Sequence, residues 1–187
     1  MIAAAKIAFI GTHGVGKTTL CYGLAARLKR RDLALDIVHE VARRCPLPIN
    51  AETTSAAQRW ILHTQIAEEC VATARYPVVI CDRSVLDNYV YFLLAAGSDA
   101  TLERLVDDWL QSYALLVHVP LFTLPQPDGI RAADPTFQRA VARRLEDEIA
   151  ARRVPVLALD AADSDGWLDA VEAAVLALVR PPQLPLL

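Results

Sequence analysis

Long apolar runs are missing from this chain of 187 residues. No stretch approaches the roughly 18 uncharged apolar residues that cross a bilayer, so no membrane partner is expected. Excess charge is missing too. Lys and Arg number 19 against 22 Asp and Glu, a net charge of −3, which leaves no global electrostatic case for a nucleic-acid partner. Cysteine is scarce and poorly spaced for a metal. Cys21, Cys45, Cys70 and Cys81 form no C-x-x-C pair and lie in apolar segments, as reduced core thiols of an intracellular protein do. The apolar run after Lys6 lasts only four residues before a glycine-bearing loop, too short for a secretory signal. It reads as a first strand, and a cytoplasmic location is expected. An apolar fraction of 54% argues against disorder. With no repeat and no linker, residues 1–187 are expected to form one domain with one core.

Glycine is scarce as well, and its placement is informative. Three of the seven glycines fall in Gly11-Thr12-His13-Gly14-Val15-Gly16-Lys17-Thr18-Thr19. That stretch fits the phosphate-binding loop pattern G-x-x-x-x-G-K-[ST], for which a chance match in a chain of this length is about one in a hundred. Lys6 to Ile10 reads as a strand before it. Thr18 to Arg31 reads as a helix after it, with Leu20, Leu24 and Leu28 four apart. In this context the glycines let backbone N–H groups turn inward toward phosphate oxygens, so Gly11, His13, Gly14, Val15, Gly16, Lys17, Thr18 and Thr19 are candidate nucleotide-binding residues. Lys17 would place positive charge on the outer phosphates, and the Thr18 hydroxyl would ligate Mg²⁺. ATP and Mg²⁺ are the implied cofactors.

Strand and helix signals alternate along the rest of the chain, the pattern of an α/β fold with a parallel sheet. Strands are expected at 34–39, 78–81, 115–119 and 154–159. Helices are expected from the Asn50–Thr54 caps to about Arg75, from Ser84 to Ala96, from Thr101 to Gln111, from Pro135 to Arg153 and from Gly166 to Val179. The proline-rich tail from Pro181 cannot be helical.

Ligands of open α/β sheets bind beyond the carboxyl ends of the strands. That rule selects the phosphate loop, His39-Glu40, Asp82-Arg83-Ser84 and the Pro120 loop as neighbours around one cleft. Asp82 follows four apolar residues, the pattern of a strand-end carboxylate that organises Mg²⁺; a helix-capping role is the alternative. Arg83 can meet a phosphate or pair with a carboxylate. Glu40 can take a proton from an attacking hydroxyl, or be a solvated helix-start residue. Of Arg43 and Arg44, one is expected to face the cleft. Arg131, in the loop Asp128-Gly129-Ile130-Arg131, and Arg139, Arg143 and Arg144 beyond it would bring charge onto a transferring phosphoryl group. The alternative pairs the last three with Glu146, Asp147 and Glu148 along a solvated helix. Gln58, Trp60, His63, Gln65, Asp87, Tyr89, Tyr91 and Phe92 could line an acceptor pocket or belong to the core.

Together these residues resemble P-loop small-molecule kinases. Asp82-Arg83-Ser84 looks like the D/E-R-[SY] motif of deoxynucleoside and thymidylate kinases, and Glu40 falls where the former carry a hydroxyl-activating carboxylate. Glu40-Val41-Ala42-Arg43 with Asp82-Arg83-Ser84 and Asp128-Gly129-Ile130-Arg131 is also similar to the ATPase/kinase family that contains the nicotinamide riboside kinase domain of NAD regulators. The resemblance covers about residues 6 to 160. It implies a P-loop NTPase three-layer sandwich, a five-stranded parallel sheet of order 2-3-1-4-5 with helices on both faces, and a lid at about 123–144 between strands 4 and 5. It departs from the deoxynucleoside kinases in lacking their R-x-x-R-x-R-x-x-E lid and a Trp after Glu40.

The expected activity is transfer of the γ-phosphoryl group of ATP to a small-molecule acceptor such as a nucleoside, nucleotide or related metabolite. Lys17, Glu40, Asp82, Arg83 and Arg131 are its candidate catalytic residues, and Thr18 and Asp82 its metal ligands. The alternative is a regulatory ATPase switching a protein partner. Thr12 stands where partition-type ATPases need a signature Lys, and the N-K-x-D motif of GTPases is absent. A homodimer is compatible with the sequence.

Overall fold

In the computed structural model, residues 4–49, 53–121 and 135–179 are described. The elements run β1 (Ala5–Ile10), α1 (Lys17–Lys29), β2 (Leu35–Val38), α2 (Ser55–Thr73), β3 (Val78–Asp82), α3 (Val85–Ala96), α4 (Ala100–Leu110), β4 (Leu115–His118), α5 (Pro135–Arg152), β5 (Leu157–Ala158) and α6 (Trp167–Val179). One turn of 3₁₀ helix, Val41–Arg44, follows β2. All five strands are parallel in the order β2-β3-β1-β4-β5, as the resemblance implied. The last strand is shorter than the apolar run 154–159 suggested, because it pairs only with the short β4, through Val117 and His118.

Central strands buried on both faces need apolar residues throughout, and β1 and β3 supply them. Ile7 and Phe9 pack with Leu24 and Leu28 of α1 and Val171 and Val175 of α6 on one face. Ala8 and Ile10 pack with Leu62, Leu86, Tyr89, Val106 and Leu145, from α2 to α5, on the other. The register sets Phe9 against Asp82 and Ile10 against His118, so the carboxyl ends of β1, β3 and β4 lie side by side.

Local chemistry sets the helix starts. Thr54 accepts the Ala57 N–H, Asp99 accepts those of Thr101 and Leu102, and Ser84 with Asp87 forms a reciprocal capping box. Gly97, with φ 80°, ends α3. No helix among the described residues is long and apolar enough to cross a membrane. All four cysteines are free, but only Cys21 and Cys81 are buried. Cys45 is half-buried and Cys70 exposed, because Cys70 falls on the solvent side of α2. The tail from Pro181 and the loop 122–134 lie outside the described residues.

Candidate active site

The phosphate loop leaves the end of β1 and curls into α1. Gly14 and Gly16 have φ of 78° and 89°, the left-handed region where a Cβ is strained. Gly11 is glycine for a second reason: a Cβ there would lie 2.6 Å from the Val119 carbonyl oxygen. The first turn of α1 carries no acidic residue, and its cap, Gly16, makes no side-chain hydrogen bond. Gly14, Gly16, Thr18 and Thr19 face solvent while Thr12, His13, Val15 and Lys17 are buried beneath. An uncapped helix start ringed by glycine N–H groups suits a phosphate chain.

Lys17 lies folded into this loop, donating to the carbonyl oxygens of Gly11 (2.8 Å) and Thr12 (2.6 Å). Burial, and then the nearby Arg83 charge, push its ammonium down to about 7, against the opposing pull of Asp87, Asp82 and Glu40. The Thr18 hydroxyl donates to Asp82 Oδ2 at 2.6 Å. Two oxygen ligands of the kind Mg²⁺ takes therefore converge at the mouth of the loop.

Glu40, past the end of β2, is only 5% exposed and no solvated helix-start residue. Its Oε1 accepts from Arg83 Nε (2.7 Å) and its Oε2 from Arg43 Nε (2.9 Å). Of the two neighbouring arginines, Arg43 is the one that pairs with Glu40, while Arg44 pairs with Glu68 on an exposed surface. Arg83 is 4% exposed and holds φ 96° at the end of β3. Its Nη1 is buried with no hydrogen-bond partner among the described residues, and its guanidinium lies 5.0 Å from the centre of the Tyr91 ring. Tyr89 and Phe92 stack on each other in the core instead.

Two contacts escaped the sequence reading. Asp87 is a fully buried clasp. One oxygen accepts the Gly11 N–H (3.0 Å), and the other accepts the N–H and hydroxyl of Ser84 (3.0 Å each), joining the phosphate loop to the β3–α3 turn. Gln138, in the first turn of α5, donates its side-chain Nε2 to the His13 carbonyl oxygen (2.8 Å), and its main-chain carbonyl accepts the Thr12 hydroxyl (3.1 Å). Beside it Phe137 stacks on the His13 ring, whose Nδ1 lies 3.1 Å from the Tyr91 hydroxyl. Asp87 stood among the candidates for an acceptor pocket or the core, and the capping spacing Ser84-x-x-Asp87 could have flagged its bonds to Ser84. Nothing local could have flagged Gln138, which sits 125 residues from His13.

Other candidates are dispersed. Gln58 bonds Thr53, Gln65 lies deep under the turn, and His63 is exposed and held by the Arg59 carbonyl. Arg139 and Arg143 are exposed, and Arg144 pairs with Glu148 one turn on (2.6 Å), as the solvated-helix alternative has it. Arg131 lies outside the described residues.

Comparison with known proteins adds three findings. A family profile described as an AAA domain matches residues 6–165. Deoxyadenosine kinase from M. mycoides with bound dATP superposes with a TM-score of 0.63 at 15% identity, over 91% of this chain and 98% of that one. The NadR protein superposes with TM-scores of 0.69 in complex with NR and 0.67 with NAD and AMP-PNP, each at 18% identity over 98% of this chain. The chain spans about half the length of NadR, 52%. At these identities the likeness establishes the fold. No curated protein matches the chain.

Proposed function

This chain belongs to the AAA domain family, with the fold of P-loop kinases, and from that membership we propose that it is an ATP-dependent phosphotransferase acting on a small hydroxyl or phosphate acceptor. One observation carries the reading. A phosphate loop with its Thr18–Asp82 pair lies next to a buried Glu40–Arg83 pair, the two joined where Arg83 follows Asp82 at the end of β3. A switch ATPase needs the first pair; the buried carboxylate–guanidinium pair beside it would serve an acceptor.

The loop N–H groups and the α1 dipole would hold the phosphate chain. Lys17, released from the Gly11 and Thr12 carbonyls, would turn to the outer phosphates. Thr18 and Asp82 would hold Mg²⁺, which supplies charge neutralisation across the β- and γ-phosphates. Arg83, whose Nη1 has no hydrogen bond among the described residues and lies 3.9 Å from Asp87 Oδ1, would turn its guanidinium to the equatorial oxygens of the transferring group. Glu40, held by Arg83 and Arg43, would be the carboxylate that receives the proton of an acceptor hydroxyl. The aromatic wall of Tyr91, His13 and Phe137 would give a planar acceptor an apolar surface and keep water away. Arg131 is proposed to add charge from the β4–α5 connection.

The likeness to deoxyadenosine kinase and NadR supports a nucleoside, a nucleotide or a related metabolite as acceptor. ADP release should be measured over a panel of such compounds with Mg²⁺-ATP. Release that depends on one member supports the proposal, and Lys17→Ala should abolish it. Acceptor-independent hydrolysis stimulated by a protein would refute it in favour of a switch.

A further inference from the structure

Behind the cleft, one buried carboxylate gathers four donors. Glu69 Oε2 accepts from Lys6 Nζ and Trp109 Nε1 (2.6 Å each), and Oε1 from Tyr113 OH (2.7 Å) and Gln65 Nε2 (2.9 Å). The Lys6 ammonium lies over the Trp109 and Tyr113 rings, 4.4 and 4.1 Å from their centres. Stability alone does not call for such a group, since well-packed apolar residues often serve as well as a buried ion pair.

Two of the four donors lead to the same place. The Tyr113 hydroxyl, while donating to Glu69, accepts the Val85 N–H at 3.1 Å. Burial, and then Glu69, push that hydroxyl well above its usual range, so it stays a donor. Gln65 Nε2 reaches the Arg83 carbonyl oxygen as well, at 3.4 Å. Both of its neighbours are acceptors, which sets the amide orientation and leaves Gln65 Oε1 without a partner. One carboxylate thereby braces both ends of the turn Arg83–Ser84–Val85. That turn begins at a left-handed arginine, a conformation that persists only where the surroundings enforce it.

We propose that Glu69 is a positioning residue for phosphoryl transfer: through Tyr113 and Gln65 it holds the Arg83–Val85 turn, and so sets where the Arg83 guanidinium stands in the cleft. The proposal rests on the kinase reading above. Misplacement of such a group by an ångström lowers the chemical step more than substrate binding.

Glu69→Gln would strand Lys6, so the test cuts single arms. Tyr113→Phe keeps the ring over Lys6 and removes the hydroxyl that joins Glu69 to Val85. Trp109→Phe also removes a donor to Glu69, but among the described residues Trp109 makes no hydrogen bond to the turn itself. Tyr113→Phe is expected to lower kcat about tenfold with KM for ATP within about twofold, and to shift the Arg83 Nε–H resonance in ¹⁵N spectra. Trp109→Phe is expected to do neither, whatever its thermal stability. Equal loss of kcat in both variants, or an unmoved Arg83 resonance in Tyr113→Phe, overturns the proposal. A wild-type protein without acceptor-dependent turnover would count against the kinase reading alone, because the Arg83 resonance still decides the role of Glu69.

Discussion

Nucleotide binding should draw a proton onto Lys17. In the free protein its ammonium is buried, bonded among the described residues to two carbonyl oxygens and repelled by Arg83, and its pKa is pushed to about 7. At pH 8 such a group is protonated in roughly one molecule in ten. A phosphate chain beside it supplies opposite charge and keeps it protonated throughout that range. Binding of ADP at pH 8 should then take up about 0.9 proton, and affinity should fall about fivefold from pH 7 to 8 and about tenfold from 8 to 9. Calorimetry at pH 8 in two buffers of different ionisation enthalpy measures the uptake. Lys17→Arg, which does not titrate there, should flatten the profile. The sign for stability is opposite in sense. Between about pH 7 and 10.5 the unfolded chain binds the proton and the folded one does not, so the contribution of Lys17 to stability rises with pH across that window and is lost as pH falls to about 7. Zero uptake at pH 8, with affinity flat from pH 7 to 9, would refute the argument.

Three further outcomes follow from the same contacts. Glu40→Gln should cut phosphoryl transfer about 100-fold, within the range of a lost general base, with ATP affinity nearly intact in direct titration. Unchanged transfer would remove Glu40 from the mechanism. Asp82→Asn should raise the Mg²⁺ concentration needed for half-maximal turnover at least tenfold, read from a Mg²⁺ titration at saturating ATP, because one of the two converging oxygens loses its charge. Lys6→Met should destabilise the protein by about 3 kcal/mol in urea unfolding, the low end for breaking a buried pair, since three neutral donors still serve Glu69.

Local patterns made the nucleotide side of the cleft legible in the sequence. The phosphate loop is contiguous, its glycines answer to backbone angles, and Asp82 is announced by the apolar strand it ends. Sheet order followed from the resemblance, while the short β5 reflects how little of β4 is available to pair. The proposed acceptor side was legible only as a set of candidates. Glu40 looked as fit for a solvated surface as for a cleft, and what decided it was a pair of guanidiniums, one of them 43 residues along the chain. Among the aromatics of α3, the helix face sent Tyr89 and Phe92 to the core and Tyr91 to the cleft.

What the sequence determined by itself is what short-range geometry carries: a nucleotide loop on a strand–turn–helix unit, and caps that start helices where they do. Only the tertiary structure decided that Asp87 holds Gly11, that Gln138 seats α5 on the loop, and that Glu69 stands behind Arg83. Each of these joins elements brought together by packing on the sheet. A hydrogen bond forms wherever a buried donor meets an acceptor, and which groups meet is a property of the packed fold rather than of any segment of the chain.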